Sequence, residues 1–101
     1  MPRLIFRKSA EADLEAIADY TLERWGGRQC DRYLDGLQAL FQRLLDEPGL
    51  GRPYSRFLRI EHVSHVVFFR REANGDVRVV RVLHKRMLPE LHFDPARDDD
   101  E

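Results

Sequence analysis

Asn74-Gly75 lies between two runs of strand-forming residues, and that arrangement constrains the fold more than any other feature of the chain. The first run is Val63-Ser64-His65-Val66-Val67-Phe68-Phe69-Arg70-Arg71. The second is Val77-Arg78-Val79-Val80-Arg81-Val82-Leu83-His84-Lys85-Arg86-Met87. Asn-Gly tolerates the positive φ values of a tight hairpin turn, so the runs are expected to be antiparallel neighbours. A two-residue turn sets Ala73 opposite Asp76, Phe69 opposite Val80, Val67 opposite Val82 and His65 opposite His84. Side chains alternate between faces. The other face then carries Val66, Phe68 and Arg70 against Leu83, Arg81 and Val79. Both faces are apolar in the middle, whereas an antiparallel sheet under one helical layer normally keeps one face polar. The second face therefore calls for cover by the C-terminal arm, another copy or a different chain, of which a foreign partner is the leading expectation.

The helical layer is legible upstream. Leu4-Ile5-Phe6 reads as a short strand. Ser9 is placed as an N-cap, with Glu11 and Asp13 favouring a helix start through the macrodipole. Leu14, Ile17, Ala18, Thr21 and Trp25 follow at helical spacing, so a first helix is expected over 10–25, closed by Gly26-Gly27. Cys30, Tyr33, Leu34, Leu37, Phe41, Leu44 and Leu45 form a second apolar stripe, with Leu40 at its margin, and Pro48-Gly49 stops it. Two such helices joined by glycines make an antiparallel helical hairpin. Residues 47–57, with Pro48, Gly49, Gly51 and Pro53, read as a loop, and Leu58-Arg59-Ile60-Glu61 as a strand. Leu88 to Phe93 reads as an extended arm or a single helical turn. The fold class is α+β, in the order β-α-α-β-β-β, with the helical hairpin packed on a mainly antiparallel sheet.

At 101 residues the chain holds one domain, read as 1–93, followed by an acidic tail at 94–101. Charged residues are 35% of the chain, and no apolar run approaches the roughly 20 residues of a membrane span. The N-terminus does not read as a signal peptide. A single cysteine, Cys30, rules out an intrachain disulfide and a CxxC metal site, and points to a reducing cytoplasm. The tail holds five acids and one base, leaving 16 bases and 13 acids in the body. It reads as a disordered, solubilising end, with a second reading in which it shields the basic patch.

The candidate chemistry gathers where the hairpin ends. His65 and His84 are a cross-strand imidazole pair, but two histidines without a third ligand make a poor metal site. No metal or cofactor is expected. Arg81 sits mid-strand among apolar residues, where a charge needs a partner. Arg70, Arg71, Arg78, Lys85 and Arg86 read either as a basic surface for nucleic acid or an acidic protein patch, or as a solvated sheet edge. Cys30 and Trp25 read as core residues. There is no phosphate-cradling glycine loop, GxSxG or HExxH.

Taken together, these residues resemble a family. The element order is similar to that of the RelE/ParE superfamily of toxin–antitoxin toxins, and finer features resemble its ParE branch. Ala12-Asp13-Leu14-Glu15-Ala16-Ile17 opens the first helix and Trp25-Gly26 closes it. Gln29, Tyr33, Leu37 and Phe41 follow, then Pro48-Gly49-Leu50-Gly51-Arg52 and the two strand motifs, over residues 3 to 93. The resemblance implies a bacterial growth-arresting toxin that inhibits DNA gyrase and is neutralised by a ParD-like antitoxin encoded beside it. It also implies a hetero-oligomer in which the antitoxin, not this chain, binds DNA. Target- or antitoxin-binding residues are then expected among Arg59, His65, Phe69, Arg78, Arg81, His84, Lys85, Arg86, His92 and Phe93. No enzymatic activity is expected. The alternatives are a RelE-like ribosome-dependent mRNA endonuclease, whose acid–base and phosphate-binding set would be His65, Lys85, Arg86 and His92, or an inactive relic that only binds antitoxin. That nuclease set is incomplete: His65 stands where those nucleases usually carry an arginine, and 47–61 has no lysine.

Overall fold

The computed structural model describes residues 1–92; Phe93 and the acidic tail lie outside the described residues. The elements are β1 (Leu4–Phe6), α1 (Lys8–Trp25), α2 (Gly27–Asp46), β2 (Arg52–Tyr54), β3 (Phe57–His62), β4 (His65–Arg71), β5 (Val77–His84) and the single turn α3 (Pro89–His92). One five-stranded sheet has the order β1-β5-β4-β3-β2. β1 runs parallel to β5 and every other pairing is antiparallel.

The α2 stripe folds as its spacing predicts. Leu37, Phe41 and Leu44 are buried, and so is Leu40, the residue placed at the margin. They meet Ala10 and Ile17 of α1 and Val67, Phe69, Val77, Val79 and Val82 of the sheet in the main core. Phe6 meets Phe41 edge-on at 5.2 Å. Burying side chains of this size stabilises the fold by about 1.5–3 kcal/mol each. Cys30 is buried, with Sγ 3.4 Å from the Ala18 carbonyl, as expected of a core thiol.

The helix start differs from expectation. α1 begins at Lys8, with Arg7 at the N-cap and no side-chain cap. The Arg7 amide is still bonded to Val79 O at 3.0 Å, so the chain passes from β1 directly into the helix. The Ser9 hydroxyl instead donates to Val80 O at 3.0 Å. A second difference is β2, inside the stretch read as loop. Pro53 sits on this edge strand, where one side of the backbone has no ladder partner and a missing N–H costs little.

The hairpin register holds in one half and slips in the other. His65 faces His84, Val66 faces Leu83, Val67 faces Val82 and Phe68 faces Arg81, as expected. Phe69 then faces Val79 rather than Val80, and Arg70 faces Arg78 rather than Val79. The turn is longer than two residues: Gly75 N bonds Glu72 O at 3.0 Å and Glu72 N bonds Asp76 O at 2.8 Å. Gly75 takes φ 95°, the left-handed conformation such a three-residue loop needs. The one-residue difference is absorbed by a bulge at Val80.

That bulge puts Val80 on the face away from the helices. There it joins Phe57, Val66, Phe68 and Leu83 in a second cluster, all buried, with Tyr54 packed on it. The doubly apolar sheet is therefore present, but its second face is buried in the chain itself, so a foreign partner is not required to cover it.

A candidate interaction surface at the end of the hairpin

β1 covers only Val77 to Val79 of β5. Beyond that point α1 takes over the strand edge. Asp13 Oδ2 accepts the Val82 amide at 2.9 Å and Arg81 Nε at 2.7 Å, and Oδ1 accepts Arg81 Nη2 at 2.9 Å. Arg81 Nη1 also donates to the His92 carbonyl, which ties α3 to the strand. The mid-strand charge expected to need a partner thus has one, in the paired, hydrogen-bonded form that a half-buried guanidinium requires.

Further along, His84 Nδ1 accepts the Arg86 amide at 3.1 Å, and its ring meets His65 edge-on with centroids 5.4 Å apart. His65 Nδ1 lies 2.6 Å from the Tyr33 hydroxyl, which donates to His62 O at 3.2 Å. One neutral tautomer satisfies both contacts, with His65 Nδ1–H donating to the tyrosine oxygen. Burial lowers the His65 pKa to about 4, helped by the neighbouring imidazoles of His84 and His62. Burial likewise lowers His62 and raises the Tyr33 phenol. At neutral pH His65 is uncharged and holds α2 to the β3–β4 turn.

Two cavities flank this cluster. One, of about 430 Å³, lies between α1 and the end of β5 and is lined by Ile17, Tyr20, His65, Leu83, His84 and Met87, among others. The other, of about 320 Å³, is lined by Tyr20, Trp25, Gln29, Tyr33 and Val63 and shares His65 and His84 with the first. The two adjoin at Tyr20, His65 and His84, and this trough has exposed apolar walls: Tyr20 is 60% exposed, Trp25 61% and Val63 68%. Trp25 is thus a surface residue and not the core residue its helical spacing suggests. Its ring carries Arg24 at 5.6 Å instead of facing the sheet. Val63 holds φ 50° in the two-residue turn between β3 and β4, a left-handed conformation unusual for a β-branched residue.

The predicted contact residues separate into groups. His65, Arg81, His84 and His92 line the larger cavity. Lys85 and Arg86 are exposed beside it, with Lys85 3.4 Å from Glu61. Arg59 is on β3, away from that cavity. Arg78 is bonded to Glu72 at 2.8 Å, and Arg70 reaches the same oxygen at 3.4 Å. Phe69 is 0% exposed in the main core, where a partner does not reach it. Phe93 lies outside the described residues. Arg71, read as part of a basic surface, faces the helices. It donates to the carbonyls of Leu44 and Glu47 at the end of α2 and of Leu50 beyond it. Tyr20, Trp25, Tyr33, Val63 and Met87 were not singled out as contacts from the sequence. The exposure of Trp25 and Val63 depends on how the helix rolls and how the turn closes, and residue type does not report either.

Among the described residues no cluster of three or more His, Cys, Asp or Glu is arranged to hold a metal, and no helix is long and apolar enough to cross a membrane. Residues 4–89 match the family described as the ParE toxin of the type II toxin–antitoxin system parDE. Toxin ParE1 of Mycobacterium tuberculosis is 37% identical over 89 residues, covering 84% of this chain and 91% of the relative. Toxin ParE1 of Caulobacter vibrioides is 36% identical over 90 residues, covering 85% and 92%. A structure titled as the chromosomal ParDE system from P. aeruginosa superposes with TM-score 0.70 at 21% identity, over 83% of this chain and 96% of that one. Its likeness bears on the fold, and it agrees with the helical hairpin and sheet described above. The chain belongs to the ParE toxin family of parDE type II toxin–antitoxin systems.

Proposed function

We propose that this chain arrests bacterial growth by inhibiting DNA gyrase, and that a ParD-like antitoxin encoded beside it neutralises it by binding along the trough between α1 and the end of β5. The observation that carries this reading is the exposed apolar wall of Tyr20, Trp25, Val63 and Met87 around the half-buried His65–His84 pair. Exposed apolar surface of this kind marks protein contact sites. Tyrosine and tryptophan are the residues that most often dominate binding energy in such sites.

The state of the histidines supports contact over chemistry. A general base works best with a pKa near the operating pH, whereas His65 is lowered to about 4 and tied to Tyr33. Lys85 is paired with Glu61, and neither Lys85 nor Arg86 lines the cavity that holds His65 and His92. Inducing the chain alone in bacteria should stop growth, and co-inducing the adjacent gene should restore it. Normal growth without the adjacent gene would contradict the reading.

A further inference from the structure

His65 and His84 face each other across β4 and β5, and both rings line both cavities of the trough. Their hydrogen bonds fix where each proton sits. The Arg86 amide can only donate, so His84 Nδ1 is an acceptor and the proton of that ring is on Nε2. The Tyr33 hydroxyl gives its own proton to His62 O, so His65 Nδ1–H donates to the tyrosine oxygen and His65 Nε2 keeps its lone pair. The pair is therefore uncharged and polarised, with one Nε2–H that donates and one Nε2 that accepts. Among the described residues no other group bonds either Nε2.

The surroundings decide what such a pair holds. Ala16, Ile17, Leu83 and Met87 make the larger cavity apolar around the rings. The charges on its wall are committed to each other, since both oxygens of Asp13 accept from Arg81. Lys85 is paired with Glu61, and neither Lys85 nor Arg86 lines that cavity. A carboxylate would set an oxygen against the His65 lone pair with no cation to offset it, and an ammonium would face the His84 N–H. A main-chain peptide is trans, so its N–H and C=O point to opposite sides and it meets one ring or the other. A primary carboxamide carries an acceptor and a donor on one edge. Its oxygen accepts from His84 Nε2–H while its N–H donates to His65 Nε2. Ring centroids 5.4 Å apart leave one planar group within reach of both.

We propose that the His65–His84 pair is the binding site for an uncharged side-chain carboxamide, an asparagine or glutamine of the partner segment, whose apolar neighbours pack on Ile17, Leu83 and Met87. This rests on the trough being the partner's binding site and assigns the polar group that it selects. The apolar walls supply contact area without direction, and the imidazole pair supplies orientation, as a few placed polar groups do in an apolar pocket. A partner with a charged or purely apolar side chain at that point leaves half-buried ring nitrogens unpaired, which discriminates against it.

The test uses the full chain at neutral pH and benzamide, whose ring takes the apolar space and whose carboxamide stands in for the side chain. Benzoate and benzyl alcohol are the competitors of matching shape. In NMR titrations benzamide should move the His65 and His84 ring resonances saturably and bind about tenfold tighter than either competitor. His84→Phe keeps a ring but no N–H, and should abolish that preference while the backbone spectrum stays that of the folded chain. Benzoate or benzyl alcohol binding as tightly as benzamide would overturn the assignment, and so would benzamide shifts that bypass both histidines. Growth arrest is read separately. A chain that arrests growth but shows no preference for benzamide loses this assignment alone, whereas one that prefers benzamide without arresting growth keeps the site and loses the toxin reading.

Discussion

Asp13 and Arg81, 68 positions apart, join the first helix to the last strand through paired N–H···O bonds of 2.7 and 2.9 Å, and the same carboxylate closes the open strand edge at Val82. Both side chains are mostly buried, at 18% and 14% exposure for Arg81 and Asp13. Replacing Asp13 with Ala removes the acceptor of Arg81 Nε and Nη2 and of the Val82 amide, leaving Arg81 its bond to the His92 carbonyl. A hydrogen bond to a charged group contributes about 1.5–3 kcal/mol, so Asp13→Ala should cost about 2–3 kcal/mol in urea unfolding. Arg81→Ala should cost less, because Asp13 keeps the Val82 amide. A double-mutant cycle should show coupling of about 1 kcal/mol or more. Additive losses would mean the pair does not act as a unit.

His65 predicts a pH dependence. Its pKa falls from 6.5 in the unfolded chain to about 4 in the fold, so between those values the unfolded state binds more protons. Stability should therefore be highest above pH 6.5, decline as the pH falls towards 4, and level off below. His65→Phe keeps an aromatic ring against Tyr33 and His84 and should flatten that decline. Chemical unfolding at a series of pH values checks it. An unchanged slope in the variant would place the titration elsewhere.

Gly51 immediately precedes β2 with φ 101°, and a Cβ there would stand 2.6 Å from the Phe69 ring. Gly51→Ala combines a strained backbone with overpacking against a buried aromatic, and should cost about 2–4 kcal/mol. Gly49→Ala, where an added Cβ meets nothing within 4 Å, is the control and should change stability little. Thermal melts of both variants measure the contrast.

Val63→Gly should separate folding from binding. Releasing a β-branched residue from φ 50° gains about 1–3 kcal/mol. The extra freedom of glycine in the unfolded chain returns about 0.5–1 kcal/mol of that. The variant should melt higher, yet bind the antitoxin less tightly because the trough loses an apolar wall. Tyr20→Ala and Trp25→Ala should leave stability within about 0.5 kcal/mol and weaken antitoxin binding by about tenfold or more. Calorimetric titration reads the affinities; wild-type binding in all three would remove the trough from the interface.

How much of this was legible in the sequence depended on local periodicity. The α2 stripe and the His65–Phe68 half of the hairpin follow from residue spacing, because burial repeats at the helical and strand periods. The Arg70–Arg78 pairing did not, since the closing turn has three residues and the bulge at Val80 absorbs the difference. β2 was hidden by Gly51 and Pro53, which mark loops in general but are tolerated on an edge strand. Trp25 fits the α1 stripe by spacing, but it is the last helical residue and is 61% exposed. The site was half legible. His84 and Lys85 end the strand as expected, whereas the roles of Tyr33 and Val63 depend on a contact and a backbone angle that residue type does not report.

The central claim concerns the target, and the most direct measurement is DNA supercoiling by purified gyrase in the presence of this chain. Dose-dependent loss of supercoiling or accumulation of cleaved DNA, reversed by adding the antitoxin, is the predicted result. Unimpaired gyrase, together with codon-positioned cuts in mRNA on translating ribosomes, would contradict it.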